Sequence, residues 1–564
     1  MARRRKNFWV TDAETDPFKA GRLPAPFIWG LYCGRTEEYY EFATGDEMLA
    51  FIEEHRIKLV YAHNGGRFDY HFLRDSINSD EPVMVINGRM SKFRIGECEF
   101  RDSLCIFQQT RLKDFGGKIE IDYAKLEPDV RHLHMDEIRR YLKQDCVLLW
   151  EQLNRYFDTY GKSLTQAGAC MKFWSKQSGI EPPRQNYETH MRLKPFYYGG
   201  RVQCFVEGVR DVNFSVWDVN SAYPYAMLSN HPFAPDLYYE EHLPAEGKIG
   251  PCLIKLDCIS RGAFPWRSED GELFFPEDEL SVRTYHVTGW EFLAALECDA
   301  IRAITIREVW RSSITINFQD YVNHFYTLRN DYKAKGDKAG NIFCKLFLNS
   351  LYGKFGASCE KYAEYVIASA DSVARWAAKG YVIYKGWGER SLMCRTPTED
   401  DLNDTSGKWR YYNIATAASV TGFQRAHLWK GLQAVSNPLY CDTDSIAAVD
   451  ASRLTCGNQL GQWKKEVDCD RYAIAGKKLY AMHVAGRPYD YDAKEDRGPV
   501  ADEGKNWKLA SKGVKLSPGE IERIARGETV EYTPDVPCYS ITREVPRFIN
   551  RTVMRTFKDI AAVA

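Results

Sequence analysis

Hydrophobic positions along the chain follow two rhythms. In the first third, short apolar runs at residues 7–10, 28–32 and 59–62 have the length of buried strands, and residues 136–156 carry apolar side chains three and four positions apart, as an amphipathic helix does. Strands alternating with helical stretches predict an α/β unit. After the Gly/Pro-containing stretch at 179–184 the alternation becomes less regular, predicting α+β segments. An aromatic-rich β pattern between 228 and 314 contains one helical stretch at 289–296. Further composition breaks fall at 396–408 and 485–498, and no internal repeat or low-complexity segment appears.

At 564 residues the chain is too long for one core, which predicts about three or four domains. With 44% hydrophobic and 27% charged residues it reads as a soluble globular protein, and no run of about 18 apolar residues could span a bilayer. The opening MARRRKNFWV is basic but lacks an apolar core. The expectation is no signal peptide, no membrane contact and a cytoplasmic location, in the host cytoplasm if the protein is viral. Sixteen cysteines without a CxxC pair predict reduced thiols. Lys and Arg number 76 against 77 acidic residues, so any nucleic-acid surface must be local.

Carboxylates at the ends of apolar runs change the picture. In FWVTDAET (8–15) Asp12 and Glu14 stand two residues apart, on one face of a strand; HNGGRFD (63–69) follows a second strand and ends on Asp69; in YLKQD (141–145) Tyr141 and Asp145 share a helix face. Four such acids can clamp two divalent ions about 4 Å apart for phosphodiester hydrolysis, with Tyr141 orienting the water. YCDTDS (440–445) again spaces Asp442 and Asp444 by two, which predicts a common strand face and a divalent cation, although Asp and Ser after Asn-Pro are also turn chemistry. VWDVNSAYP (216–224) supplies a partner, since Asp218 and Asp444 on adjacent strands can bridge two Mg²⁺, with the Val219 carbonyl as a further ligand and Asp442 in support. Tyr223 could floor a sugar pocket and exclude a 2′-hydroxyl. In KLFLNSLYGKFG (345–356), at about 100° per residue, Lys345, Asn349 and Tyr352 fall within an arc of about 60°, a stripe able to meet a triphosphate and a base. Arg329 and Lys333, four apart on another helical stretch, add charge for the same phosphates.

In this order the motifs resemble family B DNA polymerases. DAET, HNGGRFD and YLKQD look like the three exonuclease motifs, and DVNSAYP, KLFLNSLYG and YCDTDS like polymerase motifs A, B and C. The resemblance implies that Asp12, Glu14, Asp69 and Asp145 hold two Mg²⁺ or Mn²⁺ ions, and that Asp218, Val219 and Asp444 hold two more. It implies that Thr15, Asn64, Phe68, Ser103 and Leu104 hold a frayed 3′ strand and that Lys118 assists hydrolysis. FYYGG (196–200) is similar to the YxGG template motif, pointing to Tyr197, Gly199 and Gly200, and KKLY (477–480) to the KxY motif, in which Lys478 and Tyr480 steady the primer end.

The compact length and two insertions resemble the protein-primed polymerases of phages and linear mobile elements; HNGGRFD and KLASKGV (508–514) look most like tectivirus polymerases. Three residues rather than two separate Asn64 from Phe68, and the second insertion is longer than in the tailed-phage pattern. The implied fold is an RNase H-like 3′-5′ exonuclease domain (1–185), then a right-hand polymerase with palm (186–229 and 413–495), fingers (315–357) and thumb (496–564), interrupted by a terminal-protein docking insertion (230–314) and a processivity insertion (358–412). Implied partners are template and primer DNA, deoxynucleoside triphosphates and a terminal protein, with the enzyme a monomer or a heterodimer with that protein. Lys505, Lys508, Lys512 and Lys515 make one basic stripe beside Trp507 if helical, either tracking duplex phosphates or simply solvated; Gly513 argues against an unbroken helix. A DNA-primed polymerase, an inactive polymerase-like binding protein and a stand-alone exonuclease are the rival readings.

Overall fold

The computed structural model describes residues 7–404, 412–492, 504–511, 513–543 and 545–556. Lys512, most of the basic start, and residues 405–408 and 493–498 of two composition breaks lie outside these. Two large sheets organise the rest.

The first has ten strands. Trp9–Thr15 lies between antiparallel Pro26–Cys33 and parallel Leu59–Ala62, and Cys98–Asp102 pairs in parallel with Leu59–Ala62. The helix Met135–Tyr160 packs on this centre, burying Ile138, Tyr141, Leu142, Asp145, Cys146 and Leu149, the spacing that faces one side of a helix. Tyr141 and Asp145 are therefore drawn inside by their apolar neighbours. Gly30, the register partner of Asp12, permits the approach: a Cβ there would stand 3.0 Å from Leu142 Cγ and 3.2 Å from Cys146 Sγ.

The same sheet continues into a distant part of the chain. Beyond Pro82–Ile86 it adds Glu364–Ala368, Arg390–Arg395 and Val382–Trp387. Ile367, Trp387 and Leu392 share a core with Trp29, Val60 and Phe100. Asp80 clasps the junction, accepting hydrogen bonds from Ser369 Oγ and Trp376 Nε1, each at 2.9 Å. The expected second insertion thus extends the N-terminal sheet.

The second sheet runs, strand by strand, Trp507–Ser511, Leu479–Val484, Trp463–Gly476, Gly208–Val219, Ser445–Asp450, Ser436–Asp442 and Val202–Cys204. Its first strand corrects the basic-stripe expectation. Residues 507–511 pair with Leu479–Val484 and bury Trp507, and Gly513 turns the chain at φ +82°, so no helical lysine stripe forms among the described residues. Backbone pairing and burial of the indole outweigh the helical spacing of the lysines. The boundary expected at 495/496 consequently precedes an edge strand of this sheet.

A four-stranded sheet and the helix Gly289–Glu297 make up much of 230–314. The helix Ile414–Ala434, buried along most of its length, lies against them. There Arg425 and Glu291, with side chains 2% and 1% exposed, form a bidentate pair at 2.7 and 3.0 Å, and Arg425 Nη1 also donates to the carbonyls of Tyr198 and Gly199. Two further helices, Gln319–Ala334 and Lys338–Phe355, form a hairpin cored by Phe325 stacked on Phe347. Removing one partner of a buried ion pair strands the other charge. Glu291→Ala is expected to destabilise this region by about 3–5 kcal/mol in urea unfolding; a loss below about 1 kcal/mol would show that the pair is not carrying its neighbours.

Candidate active sites

Strand Trp9–Thr15 contains both Asp12 and Glu14, as the two-residue period predicts. Asp69 begins the helical turn Asp69–Ser76, and Asp145 comes from the long helix. These acids repel one another. Asp12 is held well above the usual carboxylate range by desolvation and by Asp69, Asp145 and Glu14; Glu14 is pushed up to about 8 by burial and Asp145; Asp69 rises to about 7, mainly by burial. Lys118 offsets part of the charge, its Nζ 2.5 Å from Asp145 Oδ2 and 4.7 Å from the centre of the Tyr141 ring. Asp145 Oδ1 is buried without a hydrogen bond among the described residues.

The residues expected to hold a DNA strand surround this cluster unevenly. Phe68 is half-buried, with Phe18, Phe72 and Tyr539 rings at 5.2, 5.2 and 5.4 Å. Leu104 and Asn64 are tied by their backbone N–H groups to Asp102 Oδ1 at 2.8 and 3.2 Å. Arg89 bonds Asn64 Oδ1 at 2.7 Å, and Thr15 Oγ1 donates to the Asp16 carbonyl at 3.0 Å. Ser103, expected beside the frayed strand, is fully buried, its hydroxyl 2.9 Å from His63 Nδ1, where it braces the turn.

The second cluster is assembled by register. Asp218 on Gly208–Val219 lies opposite Ser445, and Val219 N–H donates to the Asp444 carbonyl at 2.8 Å. Asp442 and Asp444 do not share a strand face, contrary to the two-residue reading. The strand ends at Asp442, Thr443 turns the chain at φ +60°, and Asp444 sits in the two-residue hairpin. Asp442 turns to Lys478 Nζ at 2.7 Å, leaving Asp444 toward Asp218. Desolvation in the cleft and Asp444 lift Asp218 to about 7, although its side chain remains open to solvent; burial and Asp442 lift Asp444 to about 6.

Around this pair stand the other expected residues. Tyr223 stacks on Tyr352 at 4.3 Å and 19°. Lys345 and Asn349 are exposed on the helix face that also carries Tyr352, while Phe347, Leu348 and Leu351 are buried. Arg329 Nε donates to Asn341 Oδ1 at 3.0 Å, and Lys333 is exposed. Tyr197 meets the end of the same helix at Gly356, where a Cβ would lie 2.7 Å from its ring. Gly200 passes so close to the hairpin that a Cβ would lie 2.6 Å from Thr443 Oγ1. Tyr480 packs on Tyr440 at 4.8 Å. Sequence reasoning missed Asp102, which fixes the HNGGRFD turn; Tyr539, which covers Phe68; and Glu466, whose ion pair with Lys508 at 2.6 Å sets two charges acting on Asp218. A carboxylate or lysine on a lone strand carries no local signal of such a meeting.

Among the described residues no three His, Cys, Asp or Glu side chains close into full metal-ligating geometry. The donor chemistry nevertheless suits hard divalent cations: crowded carboxylates with raised proton affinity, a buried acceptor at Asp145 Oδ1 lacking a partner, and lysines partly neutralising each cluster.

The described residues take a mixed α/β multidomain fold seen in Phi29 DNA polymerase. Its orthorhombic crystal form matches with a TM-score of 0.71 and 17% identity, covering 97% of this chain and 100% of that one. The ternary complex of Phi29 DNA polymerase with primer-template DNA and incoming nucleotide substrates gives 0.71 and 16%, covering 97% and 99%. Both likenesses are of fold, and on that fold stand the two acidic clusters. Residues 120–385 match the family model for DNA polymerase type B, organellar and viral, and the DNA-directed DNA polymerase of Enterobacteria phage PRD1 is 34% identical over 97% of each chain. A DNA polymerase of Streptococcus phage Cp-1 is 22% identical, covering 90% of this chain and 87% of that one. The chain belongs to the protein-primed family B DNA polymerases of the organellar and viral type.

Carboxyls whose folded-state pKa is raised bind protons more tightly folded than unfolded, so their repulsion costs stability above that pKa and is relieved as pH falls through it. In protein freed of divalent ions, Tm is expected to rise as pH is lowered from 8 to 6.5, the window set by Glu14 near 8 and by Asp69 and Asp218 near 7. Below 6.5 buried histidines such as His63, lowered to about 4, act in the opposite sense. Mg²⁺ or Mn²⁺ should raise Tm at pH 8 and flatten this slope. A Tm independent of pH in that window would rule out the repulsion described.

Proposed function

We propose that this DNA-directed DNA polymerase carries two centres: polymerisation at Asp218 and Asp444, and 3′-5′ proofreading hydrolysis at Asp12, Glu14, Asp69 and Asp145. The observation that carries the first is the register that sets Asp218 opposite Ser445 while Val219 N–H bonds the Asp444 carbonyl at 2.8 Å. Divalent ions bound at each centre would lower the pKa of the attacking hydroxyl or water and neutralise the leaving oxygen. The chain's own groups do the rest. Lys345, Lys333 and Arg329 draw the triphosphate onto the Asp218 face, and Asn349 stands on the same stripe as Lys345. The Tyr223–Tyr352 stack forms an aromatic wall that shapes the sugar and base pocket and rejects a 2′-hydroxyl. Asp442 holds Lys478 over the KxY turn, where Lys478 and Tyr480 steady the primer end, and Tyr197, Gly199 and Gly200 meet the template.

At the hydrolytic centre Lys118 and Tyr141 flank Asp145 and orient the attacking water. Phe68, Leu104, Asn64 and Thr15 receive the frayed strand, with stacking as a sequence-tolerant contact. In this reading residues 1–185 form an RNase H-like exonuclease unit, 186–229 and 413–495 the palm, 315–357 the fingers and 496–564 the thumb. Residues 230–314 dock the terminal protein whose hydroxyl primes synthesis, and 358–412 support processivity, a role supported by their strands within 364–395 joining the sheet that carries Asp12 and Glu14. Template, primer, deoxynucleoside triphosphates and the terminal protein are the partners, the working unit being a monomer or a heterodimer with that protein in the host cytoplasm. Among the described residues no helix is long and apolar enough to cross a membrane.

Primer extension separates the centres. Asp444→Ala should cut nucleotide incorporation by at least about a thousandfold while sparing 3′-end degradation; Asp12→Ala with Glu14→Ala should do the reverse. Degradation by the wild type without incorporation would contradict the polymerase assignment. Labelled dNTP joined covalently to a candidate terminal protein would establish protein priming, and extension of DNA primers alone would argue against it.

A further inference from the structure

The helix Gln319–Ala334 directs its cations at a strand that the polymerase motifs do not include. Tyr326, Arg329 and Lys333 are spaced i, i+3, i+7 and so share one stripe of that helix. Tyr326 shows where the stripe points: its hydroxyl donates to the Asn458 carbonyl at 3.4 Å. Asn458 belongs to a loop laced to the turn after Asp218. Asn220 Nδ2 donates to the Gly457 carbonyl at 2.7 Å, Asn220 N–H to the Gln462 carbonyl at 2.9 Å, and Gly461 N–H to the Asn220 carbonyl at 2.9 Å. The loop leads directly into the strand Trp463–Gly476, whose second residue, Lys464, is the register partner of Asp218.

Directly opposed residues of an antiparallel pair project from the same face of the sheet. Lys464 therefore stands beside Asp218 on the side that meets the helix stripe, whereas Lys465 pairs with Trp217 on the opposite face and is bound to Asp468 at 3.0 Å. Lys464 is exposed, and among the described residues neither it nor Arg329, Lys333 or Lys345 forms an ion pair. Burial lowers the pKa of Lys333 most, and the charges of Arg329, Lys464 and Lys345 lower it further, which fits their convergence on one space. Among the described residues the four cations thus act on one another without any of them being held in an ion pair.

We propose that Lys464 is a further ligand for the β- and γ-phosphates of the incoming nucleotide and for the pyrophosphate product, completing a cationic ring with Arg329, Lys333 and Lys345. The proposal rests on the polymerase reading of the Asp218 and Asp444 centre. An inorganic polyphosphate group is the species that matches several unpaired ammonium and guanidinium groups facing two carboxylates across a cleft.

Incorporation kinetics on a fixed primer-template test it, using Lys464→Ala, Lys464→Arg and Lys465→Ala with Lys345→Ala for reference. Lys464→Ala should raise KM for dNTP about fivefold and weaken pyrophosphate inhibition by a similar factor, with the Kd for primer-template unchanged. Lys464→Arg should recover most of the loss, and Lys465→Ala should match the wild type. An unchanged KM in Lys464→Ala beside a raised KM in Lys345→Ala overturns the assignment. So does weakened primer-template binding at constant KM, which would place Lys464 on the DNA backbone. If Lys345→Ala is also indifferent to dNTP, the triphosphate reading of the helix stripe fails with it.

Discussion

Forcing carboxylates together against their own repulsion is the constraint around which this chain is built. Each cluster gathers acids from segments far apart in sequence, and each raises the proton affinity of its members by desolvation and by neighbouring charge. Nothing local to FWVTDAET or YCDTDS would tolerate that. What holds the acids in place is long-range: parallel strands capped by a helix in one case, an antiparallel hairpin beside a longer strand in the other.

The surrounding structure moderates the repulsion without removing it. Lys118 and Lys478 each neutralise one acid, and Glu466 with Lys508 sets a further pair of charges beside Asp218. Small residues let the supports come close: Gly30 admits the helix behind Asp12, and Gly200 admits the Thr443 turn. Arg425, itself buried on Glu291, fixes the carbonyls just before Gly200. The DTD turn is thereby held from below by a helix and from the side by the YYGG loop. Residues 364–395 belong to the sheet that carries Asp12 and Glu14, so the proposed processivity insertion and the proposed exonuclease unit form one packed body.

Much of this was legible in the sequence. The period of two at Asp12 and Glu14 survives as a strand, the helical spacing around Tyr141 and Asp145 as the buried face of a helix, and the arc of Lys345, Asn349 and Tyr352 as an open polar stripe. Helix 289–296 is found within one residue of its expected end. The failures share a cause. Lysines 505–515 follow helical spacing, yet residues 507–511 are a strand because an edge of a sheet needed pairing and Trp507 needed burial. Asp442 and Asp444 part company because a two-residue turn intervenes. Asp102, Glu466, Lys464 and Tyr539 acquire meaning only from register and packing partners tens to hundreds of residues away, which no local pattern encodes.

The central claim is that two separate acidic centres each take up divalent cations. Anomalous scattering from crystals of the protein grown with Mn²⁺ tests it most directly. Manganese peaks are expected in two places, between Asp218 and Asp444 and among Asp12, Glu14, Asp69 and Asp145. Manganese at neither place, or at surface carboxylates only, would contradict it.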